Sequence, residues 1–257
     1  MSVLSGLPYA LMPTVSCLLI PPVLWSVWQG SMPGQVPDNT ISLFRCSLGH
    51  PLATPPPHWL TPTEWQRADR FYQPADRQRF VLGRALFRQV AGKLTGQPPE
   101  QVTLELGYRG KPVWVNNGGW HMNLAHADKW VLLALAQTPV GVDLETIQPA
   151  IDYKSLMAST FSNLEQQYVV EQADPRQAFY EGWTRKEALV KATGQGITDA
   201  LPQLPVLTGT HTVPTALPNA AGNWNVAGFW VDTHHPAAVA WSGPLPTDHS
   251  PVTCFTV

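Results

Sequence analysis

The chain has 257 residues, of which 44% are hydrophobic and only 13% are charged, together with 26 prolines and 19 glycines. This composition is typical of a globular protein with a sizeable core, and it excludes collagen-like and wholly disordered chains. Sixteen Lys and Arg residues against 18 Asp and Glu residues give a formal net charge of −2, so no overall field directs the chain to nucleic acid or an anionic membrane.

Residues 1–40 form an apolar, proline-rich arm. The segment ALMPTVSCLLIPPVLWSVW (residues 10–28) has the hydropathy of a targeting segment, but its prolines and the absence of Lys or Arg before it argue against a membrane span or a signal peptide. We expect the arm to pack on the first sheet. Cys17, Cys46 and Cys254 show neither disulfide nor zinc spacing, which favours a reducing, cytoplasmic compartment.

Helices and then strands follow the arm. Residues 41–47 alternate well enough for a first strand. A helix is predicted from Thr61 or Thr63 to about Tyr72, and a second with an apolar face from about Asp76 to Leu94. Residues 102–145 contain short β-rich runs separated by Gly, Asn, Asp and Pro, which predict a meander of antiparallel strands.

The second half repeats this order. Ser162 and Glu165 have the spacing of a capping box, and Asp174 can cap a longer helix that continues through Lys191. Residues 224–232 and 237–242 predict strands. The sequence therefore predicts an α+β protein of two similar halves, residues 41–137 and 138–257, each with a small antiparallel sheet packed on helices.

The segment GVDLE contains two acids at strand spacing. Because side chains alternate along a strand, Asp143 and Glu145 lie on one face and Val142 and Leu144 on the other. Paired carboxylates suit a hard cation such as Mg²⁺, which completes its coordination with water and phosphate oxygens. Taken alone, the two acids more often belong to a strand that simply ends in solvated carboxylates.

The segment WTRKEALVK places Trp183, Glu187 and Lys191 on one helical face, with Lys186 beside it. A carboxylate and an ammonium group then project together. The alternative is an ordinary ion pair on the helix surface.

A third set of candidates is basic. Residues 64–93 contain seven Lys or Arg residues against three acids, so an anion can dock there. Lys111 lies in a GKP turn, and His126 ends an apolar strand, from which it can donate to a phosphate oxygen. Each has another explanation: arginines that solvate an amphipathic helix, a lysine at a turn, and a histidine hydrogen-bonded in the core.

The ordered combination of these segments is more specific than any one of them. DRQRFVLGRALFR, GKPVW, MNLAHA, GVDLE and WTRKEALVKATGQG resemble, in this order and at these separations, the Sfp-type 4′-phosphopantetheinyl transferases. The resemblance covers about Ile41 to Ala240. The matching residues are Arg79, Gly83, Lys111, Pro112, Asn123, His126, Asp143, Glu145, Trp183, Lys186, Glu187 and Lys191.

The resemblance implies the 4′-phosphopantetheinyl transferase fold and a transferase of the holo-carrier-protein synthase type. Such enzymes move the phosphopantetheine arm of coenzyme A to a serine of an apo acyl or peptidyl carrier protein and release adenosine 3′,5′-bisphosphate. The implied partners are coenzyme A and the carrier protein, in fatty acid or secondary metabolite biosynthesis. We expect a cytoplasmic monomer that binds neither nucleic acid nor membrane, with coenzyme A in the cleft between the halves.

The resemblance also implies roles for residues of the second half. Asp143, Glu145 and Glu187 would bind Mg²⁺, and Lys186 and Lys191 would offset the phosphate charge. Lys191 would stabilise or protonate the leaving phosphate, whereas Glu187, directly or through a metal-bound water, would accept the serine proton. The implied catalytic residues are therefore Asp143, Glu187 and Lys191.

Coenzyme A contacts are implied for the first half. Arg79 and His126 would bind the 3′-phosphate, Arg67 another phosphate, and Lys111 and Pro112 would lie along the adenine and neighbouring phosphates. Two positions depart from the family pattern. Relatives often have a serine in place of Ala125 and a second basic residue in place of Glu64, so the 3′-phosphate has fewer expected donors here.

Two other functions remain open at this stage. Another magnesium-dependent phosphotransferase or nucleotidyltransferase would use the same carboxylates and lysines. A non-catalytic module that binds carrier proteins is the alternative from another class, but it has no physical reason to keep three mutually repelling acids together.

Overall fold

The structure, a computed structural model, describes residues 13–30, 40–107, 112–115, 118–194, 196, 200–212, 222–245 and 250–257. Its strands in these ranges are β1 (Thr14–Leu19), β2 (Trp25–Val27), β3 (Ile41–Ser47), β4 (Leu104–Leu106), β5 (Pro112–Trp114), β6 (His121–Ala127), β7 (Trp130–Ala136), β8 (Val140–Leu144), β9 (Gly209–Thr212), β10 (Asn223–Asp232), β11 (His235–Ser242) and β12 (Val252–Thr256). Its α-helices are α1 (Pro62–Ala68), α2 (Pro74–Thr95), α3 (Tyr153–Thr160), α4 (Asn163–Glu171) and α5 (Pro175–Thr193).

Local sequence signals explain where the helices begin and end. Capping boxes form at Thr61 with Glu64 before α1 and at Ser162 with Glu165 before α4, so the predicted box at Ser162 is confirmed. The side chain of Asp174 accepts the Gln177 N–H at the start of α5, also as predicted. The first helix is shorter than predicted, because it ends at Ala68 rather than near Tyr72.

The strands form two five-stranded sheets and a separate β4–β5 pair. The first-half sheet has the order β2-β12-β3-β7-β6, and the second-half sheet has the order β8-β11-β10-β1-β9. The protein is therefore a mixed α+β protein. The strands predicted within residues 102–145 are present as β4 to β8, but they do not form one meander, because β4 pairs with β5, β6 with β7, and β8 with β11 of the second-half sheet.

Strands from both ends of the described chain cross between the halves. In the arm, β1 pairs in parallel with β10 of the second-half sheet, whereas β2 pairs with β12 of the first-half sheet. Near the C-terminus, β12 lies between β2 and β3. Among the described residues of the arm, the expectation of packing on the first sheet therefore holds for β2 and Trp28 but not for β1.

The two sheets face each other across a shared apolar core. Leu43 and Leu132 of the first-half sheet belong to the same core cluster as Val142, Val239 and Trp241 of the second-half sheet. On the outer faces, α2 packs against β3 and β7, and α5 packs against β1, β10 and β11. The result is four layers, helix, sheet, sheet and helix, with β6 and β8 close to one another at the side of the sandwich.

The described part of the chain contains no helix that is long and apolar enough to cross a membrane.

Candidate active site

The candidate site forms where β8 packs on α5, and Gly141 makes this packing close. A Cβ atom at Gly141 would overlap the carbonyl oxygen of Ala188 and lie 2.8 Å from the Cα of Ala192. Only a residue without a side chain allows the strand and helix backbones to approach this closely. Asp143, two residues further along β8, faces α5, and Val142 and Leu144 face the core between the sheets, as the alternation predicted.

Asp143 and Lys191 form an ion pair at the centre of the site. The Nζ of Lys191 donates to Oδ1 of Asp143 over 2.6 Å, and Asp143 is only 4% exposed. The other carboxylate oxygen of Asp143, Oδ2, is buried, as is Oε1 of Glu187, and neither has a hydrogen-bond partner among the described residues. Buried carboxylate oxygens without a partner are costly, so this arrangement favours a bound positive charge.

Glu145 and Glu187 are unusually basic carboxylates. Burial and the neighbouring charge of Asp143 raise the pKa of Glu145 to about 7, although the Trp183 indole donates to its Oε1 over 3.0 Å. Burial and the charge of Asp143 also raise the pKa of Glu187. The three acids that the sequence predicted as metal ligands therefore interact electrostatically.

The three carboxylates fit a hard divalent cation by their chemistry, because they offer oxygen ligands. Two of these oxygens are buried and have no hydrogen-bond partner among the described residues. Among the described residues, however, no three His, Cys, Asp or Glu side chains are arranged so that they could hold a metal ion. Lys191 and Trp183 contact two of the three carboxylates instead. The assignment of Mg²⁺ to Asp143, Glu145 and Glu187 thus remains a prediction.

His126 and Arg79 lie on the first-half side of the site. Desolvation lowers the pKa of His126, although its side chain reaches solvent at the end of β6, and the positive charges of Arg79 and Lys191 lower it further. The charges of the predicted 3′-phosphate residue Arg79 and of the predicted phosphate lysine Lys191 therefore both act on His126. A ring in this position is well suited to contact a phosphate, whose negative charge would offset the repulsion.

Of the remaining predicted coenzyme A residues, the structure describes Arg67 and Pro112. Arg67 is exposed on α1, with its guanidinium 5.4 Å from the centre of the Phe80 ring. Pro112 lines a cavity of about 330 Å³ between the halves, where Trp114 and Trp224 also lie. Lys111 lies outside the described residues.

The structure contradicts the predicted phosphate contact of Lys186. This side chain is completely buried, and its Nζ donates to Glu165 Oε2 over 2.8 Å and to the carbonyl oxygens of Leu201 and Leu204. All three protons of the ammonium group are therefore engaged inside the protein. Lys186 joins α5 to α4 and to the segment after α5, and it does not reach the carboxylate cluster.

Glu64, which departs from the family pattern, forms ion pairs inside the protein. Its carboxylate pairs with Arg88 over 2.9 Å and with Arg84 over 3.3 Å, and both arginines are buried. Two of the seven basic residues in this region are thus buried inside the protein, where Glu64 offsets one of their two charges. The excess positive charge predicted for residues 64–93 is accordingly smaller at the surface.

Asn123 has a role that the sequence did not indicate. Its Oδ1 accepts the backbone N–H of Val142 over 2.9 Å, so it connects β6 of the first-half sheet to β8 of the second. This contact places the strand that carries Asp143 beside the strand that carries His126. In the sequence Asn123 was only one of the residues that match the family pattern, and the structure shows that it is buried in β6 beside Met122.

Comparisons with known proteins agree with this architecture. Residues 139–240 match the model of the 4′-phosphopantetheinyl transferase superfamily, and residues 57–138 match that of the 4′-phosphopantetheinyl transferase N-terminal region. The chain is 35% identical to the 4′-phosphopantetheinyl transferase HetI of Nostoc sp. (strain PCC 7120) over 190 residues, 72% of this chain and 79% of HetI. It is 32% identical to the 4′-phosphopantetheinyl transferase psf-1 of Bacillus pumilus, over 73% of this chain and 81% of psf-1.

A third relative has a lower identity to the chain. The chain is 26% identical to the 4′-phosphopantetheinyl transferase Sfp of Bacillus subtilis (strain 168), over 72% of this chain and 84% of Sfp. These matches show that the chain is a transferase of this class. The chain belongs to the Sfp-type 4′-phosphopantetheinyl transferase family.

Proposed function

We propose that this protein transfers the 4′-phosphopantetheine arm of coenzyme A to a serine of an apo acyl or peptidyl carrier protein and releases adenosine 3′,5′-bisphosphate. The observation that carries the proposal is the meeting of Asp143, Glu145, Glu187 and Lys191 between β8 and α5 in a member of this family. The cytoplasmic location and the monomeric state are part of the same proposal, and the three free, buried cysteines suit a reducing compartment.

The reaction is the attack of a serine oxygen on the β-phosphorus of coenzyme A. A new phosphorus–oxygen bond forms to the serine, and the bond from that phosphorus to the bridging oxygen breaks. The serine proton goes to a base, and the bridging oxygen leaves with adenosine 3′,5′-bisphosphate. Such a transfer depends mainly on positioning and on positive charge around the diphosphate.

Glu187 is the proposed base for the serine proton. Its raised pKa makes it a stronger base than an exposed glutamate, and its buried Oε1 has no protein donor among the described residues. Lys191 is one helical turn further along α5, where its ammonium group can stabilise the leaving phosphate. Asp143 fixes the direction of Lys191 through their ion pair.

Magnesium is proposed as the cofactor, held by Asp143, Glu145 and Glu187. When bound, Mg²⁺ supplies positive charge to the diphosphate and offsets the repulsion between the three carboxylates. Arg79 and His126 are proposed to bind the 3′-phosphate, Arg67 a further phosphate, and Pro112 with Lys111 the adenine side.

The test is the intact mass of apo carrier proteins after incubation with this protein, coenzyme A and Mg²⁺. The proposal predicts a mass gain of one phosphopantetheinyl group on the carrier serine, with adenosine 3′,5′-bisphosphate as the other product. A gain of an adenylyl group would indicate a nucleotidyltransferase instead. No mass gain across fatty acid, polyketide and peptide carriers would contradict the proposal.

A further inference from the structure

Arg79 is held in place by a backbone carbonyl group rather than by packing alone. Its Nη1 donates to the carbonyl oxygen of Asp128 over 2.7 Å, and its Nη2 donates to the carboxylate of Asp76. Its positive charge acts on His126, which precedes Asp128 by two residues. The direction of the Arg79 guanidinium therefore depends on the position of the Asp128 carbonyl.

Asp128 lies in a tight turn with an unusual backbone conformation. Ala127 pairs with Trp130, so Asp128 and Lys129 alone connect β6 to β7. Asp128 has a φ of 46°, in the left-handed region where residues other than Gly, Asn and Asp are uncommon. The direction of the Asp128 carbonyl group depends on this turn conformation. The carbonyl keeps its direction toward Arg79 only while the surrounding contacts hold the turn.

Those contacts come from the β10–β11 turn of the other half. Asp232 accepts from the Trp130 indole over 2.8 Å and from Nδ1 of His235 over 2.6 Å. The pKa of Asp232 lies below its ordinary value. Burial alone would raise this pKa, but the hydrogen bonds from the backbone N–H of His234, from His235 and from Trp130 outweigh that effect, so the carboxylate remains ionised. The ring of His235 is thereby held in one orientation.

This orientation directs the second nitrogen of His235 at the Asp128 turn. Nε2 of His235 lies 3.6 Å from Oδ2 of Asp128, and His235 is only 3% exposed. Nε2 has no hydrogen-bond partner within the part of the chain that the structure describes. Because Nδ1 donates to Asp232, Nε2 carries a proton only when the ring is doubly protonated. In that form the ring attracts the Asp128 carboxylate across 3.6 Å and can hold the turn.

We infer that His235 is a positioning residue for recognition of the 3′-phosphate of coenzyme A: anchored by Asp232, it holds the Asp128 turn whose carbonyl directs Arg79. The inference rests on the proposed function, because it takes Arg79 as a ligand of that phosphate. According to this inference, the β10–β11 turn of the second half contributes to substrate selection by Arg79 of the first half.

The test compares the dissociation constants of coenzyme A and 3′-dephospho-coenzyme A by calorimetry. His235→Asn retains a donor near the Nδ1 position for Asp232 but lacks Nε2, whereas His235→Gln places an amide near the Nε2 position. Asp128→Asn tolerates the left-handed conformation but removes the carboxylate charge. Lys129→Gln is the control, since Lys129 lies in the same turn but is exposed and pairs with Asp232 over 3.6 Å.

We expect His235→Asn and Asp128→Asn to weaken coenzyme A binding by about 3–10-fold, as for a partly lost charge-assisted hydrogen bond, and to leave dephospho-coenzyme A binding nearly unchanged. His235→Gln should recover part of the loss, and Lys129→Gln should match the wild type. Equal weakening of both ligands would assign His235 a merely structural role and overturn the inference. Unchanged selectivity in both variants, or a wild type that does not distinguish the two ligands, would also overturn it.

The binding measurement does not require transfer to occur. If the wild type binds coenzyme A selectively but modifies no carrier protein, the proposed function fails, and the ratio of the two dissociation constants still decides the inference. Melting temperatures of each variant show that the compared proteins are folded.

Discussion

Lys186 and Lys191 lie five residues apart on α5, yet their ammonium groups have opposite environments. Lys191 is half-buried and contacts Asp143 in the candidate site, whereas Lys186 is completely buried against Glu165. Helical spacing predicted the position of Lys191 beside Glu187. It could not predict the burial of Lys186, because the partner Glu165 lies 21 residues away on another helix.

The buried position of Lys186 can be tested by substitution. Lys186→Met should lower the free energy of unfolding by about 3–5 kcal/mol, because it leaves the carboxylate of Glu165 buried without its cation. The control is Arg77→Gln, which removes an exposed ion pair with Asp69 and should cost about 0–1 kcal/mol. Urea unfolding measures both. Unchanged stability with weakened coenzyme A binding would contradict the buried position of Lys186.

The raised pKa of Glu145 predicts a pH-dependent stability. Its pKa of about 7 in the folded protein exceeds the ordinary value of 4.5, so the folded state retains a proton that the unfolded state has lost. Stability of the metal-free protein therefore falls as pH rises from about 4.5 to about 7. Glu145→Gln removes this contribution and can still accept from Trp183.

Melting temperatures in the presence of a chelator measure this effect. Glu145→Gln should melt roughly 3 °C or more above the wild type near about pH 8, and close to it near about pH 5. A variant that melts at the wild-type temperature across this range would show that Glu145 is not destabilised by burial and by Asp143.

Among the elements, β8 and α5 decide the geometry of the site, and Gly141 decides how close they are. Gly141→Ala should destabilise the protein by more than about 3 kcal/mol and also lower transfer activity, because the new Cβ meets backbone atoms of α5 that cannot give way. Separation of the two elements would move Asp143 away from Glu187 and Lys191.

Gly83→Ala on α2 is the matched control for Gly141→Ala. A Cβ at Gly83 would have its nearest contacts at 3.7 Å to Val131 and 3.8 Å to Leu124, which are ordinary van der Waals distances. Inside a helix the change should stabilise the protein by about 0.5–1 kcal/mol. Denaturant unfolding of the two variants distinguishes them. Wild-type stability of Gly141→Ala would contradict the close approach of β8 and α5.

Local patterns predicted the elements that carry the site, but they did not predict all of the sheet strands. Helix α5, the capping box at Ser162 and the alternation of residues 141–145 were readable because each depends on near neighbours in sequence. The arm strand β1 was missed because it pairs with β10, about 200 residues later, and prolines interrupt the local pattern. The segment that forms β12 lacks any signal for its long-range partners β2 and β3.

The whole molecule is held together by strands that cross between its halves. Detachment of residues 13–30 removes β1 from the second-half sheet and β2 from the first-half sheet, and detachment of residues 250–257 removes β12 from the middle of the first-half sheet. The division at residue 137 remains a prediction about sequence organisation. The crossing strands lead us to expect that the two halves unfold in one cooperative transition.

The three cysteines test this cooperativity. Burial raises the pKa of Cys17 in β1 to about 11 and the pKa values of Cys46 in β3 and Cys254 in β12 to about 12. A thiol reagent near about pH 8 should therefore label the native protein very slowly. In increasing urea, all three should react with the same midpoint. Labelling of Cys46 and Cys254 at clearly lower urea than Cys17 would show that the halves unfold separately.

The central claim is that acids from β8 and α5 act together on one diphosphate. The most direct measurement is the rate at which Asp143→Asn modifies an apo carrier protein, followed by intact mass, with melting temperature as the check on folding. We predict a loss of at least about 100-fold relative to the wild type, because the substitution removes a buried charge that organises Lys191 and the proposed cation. Transfer by a folded Asp143→Asn variant at the wild-type rate would contradict the account.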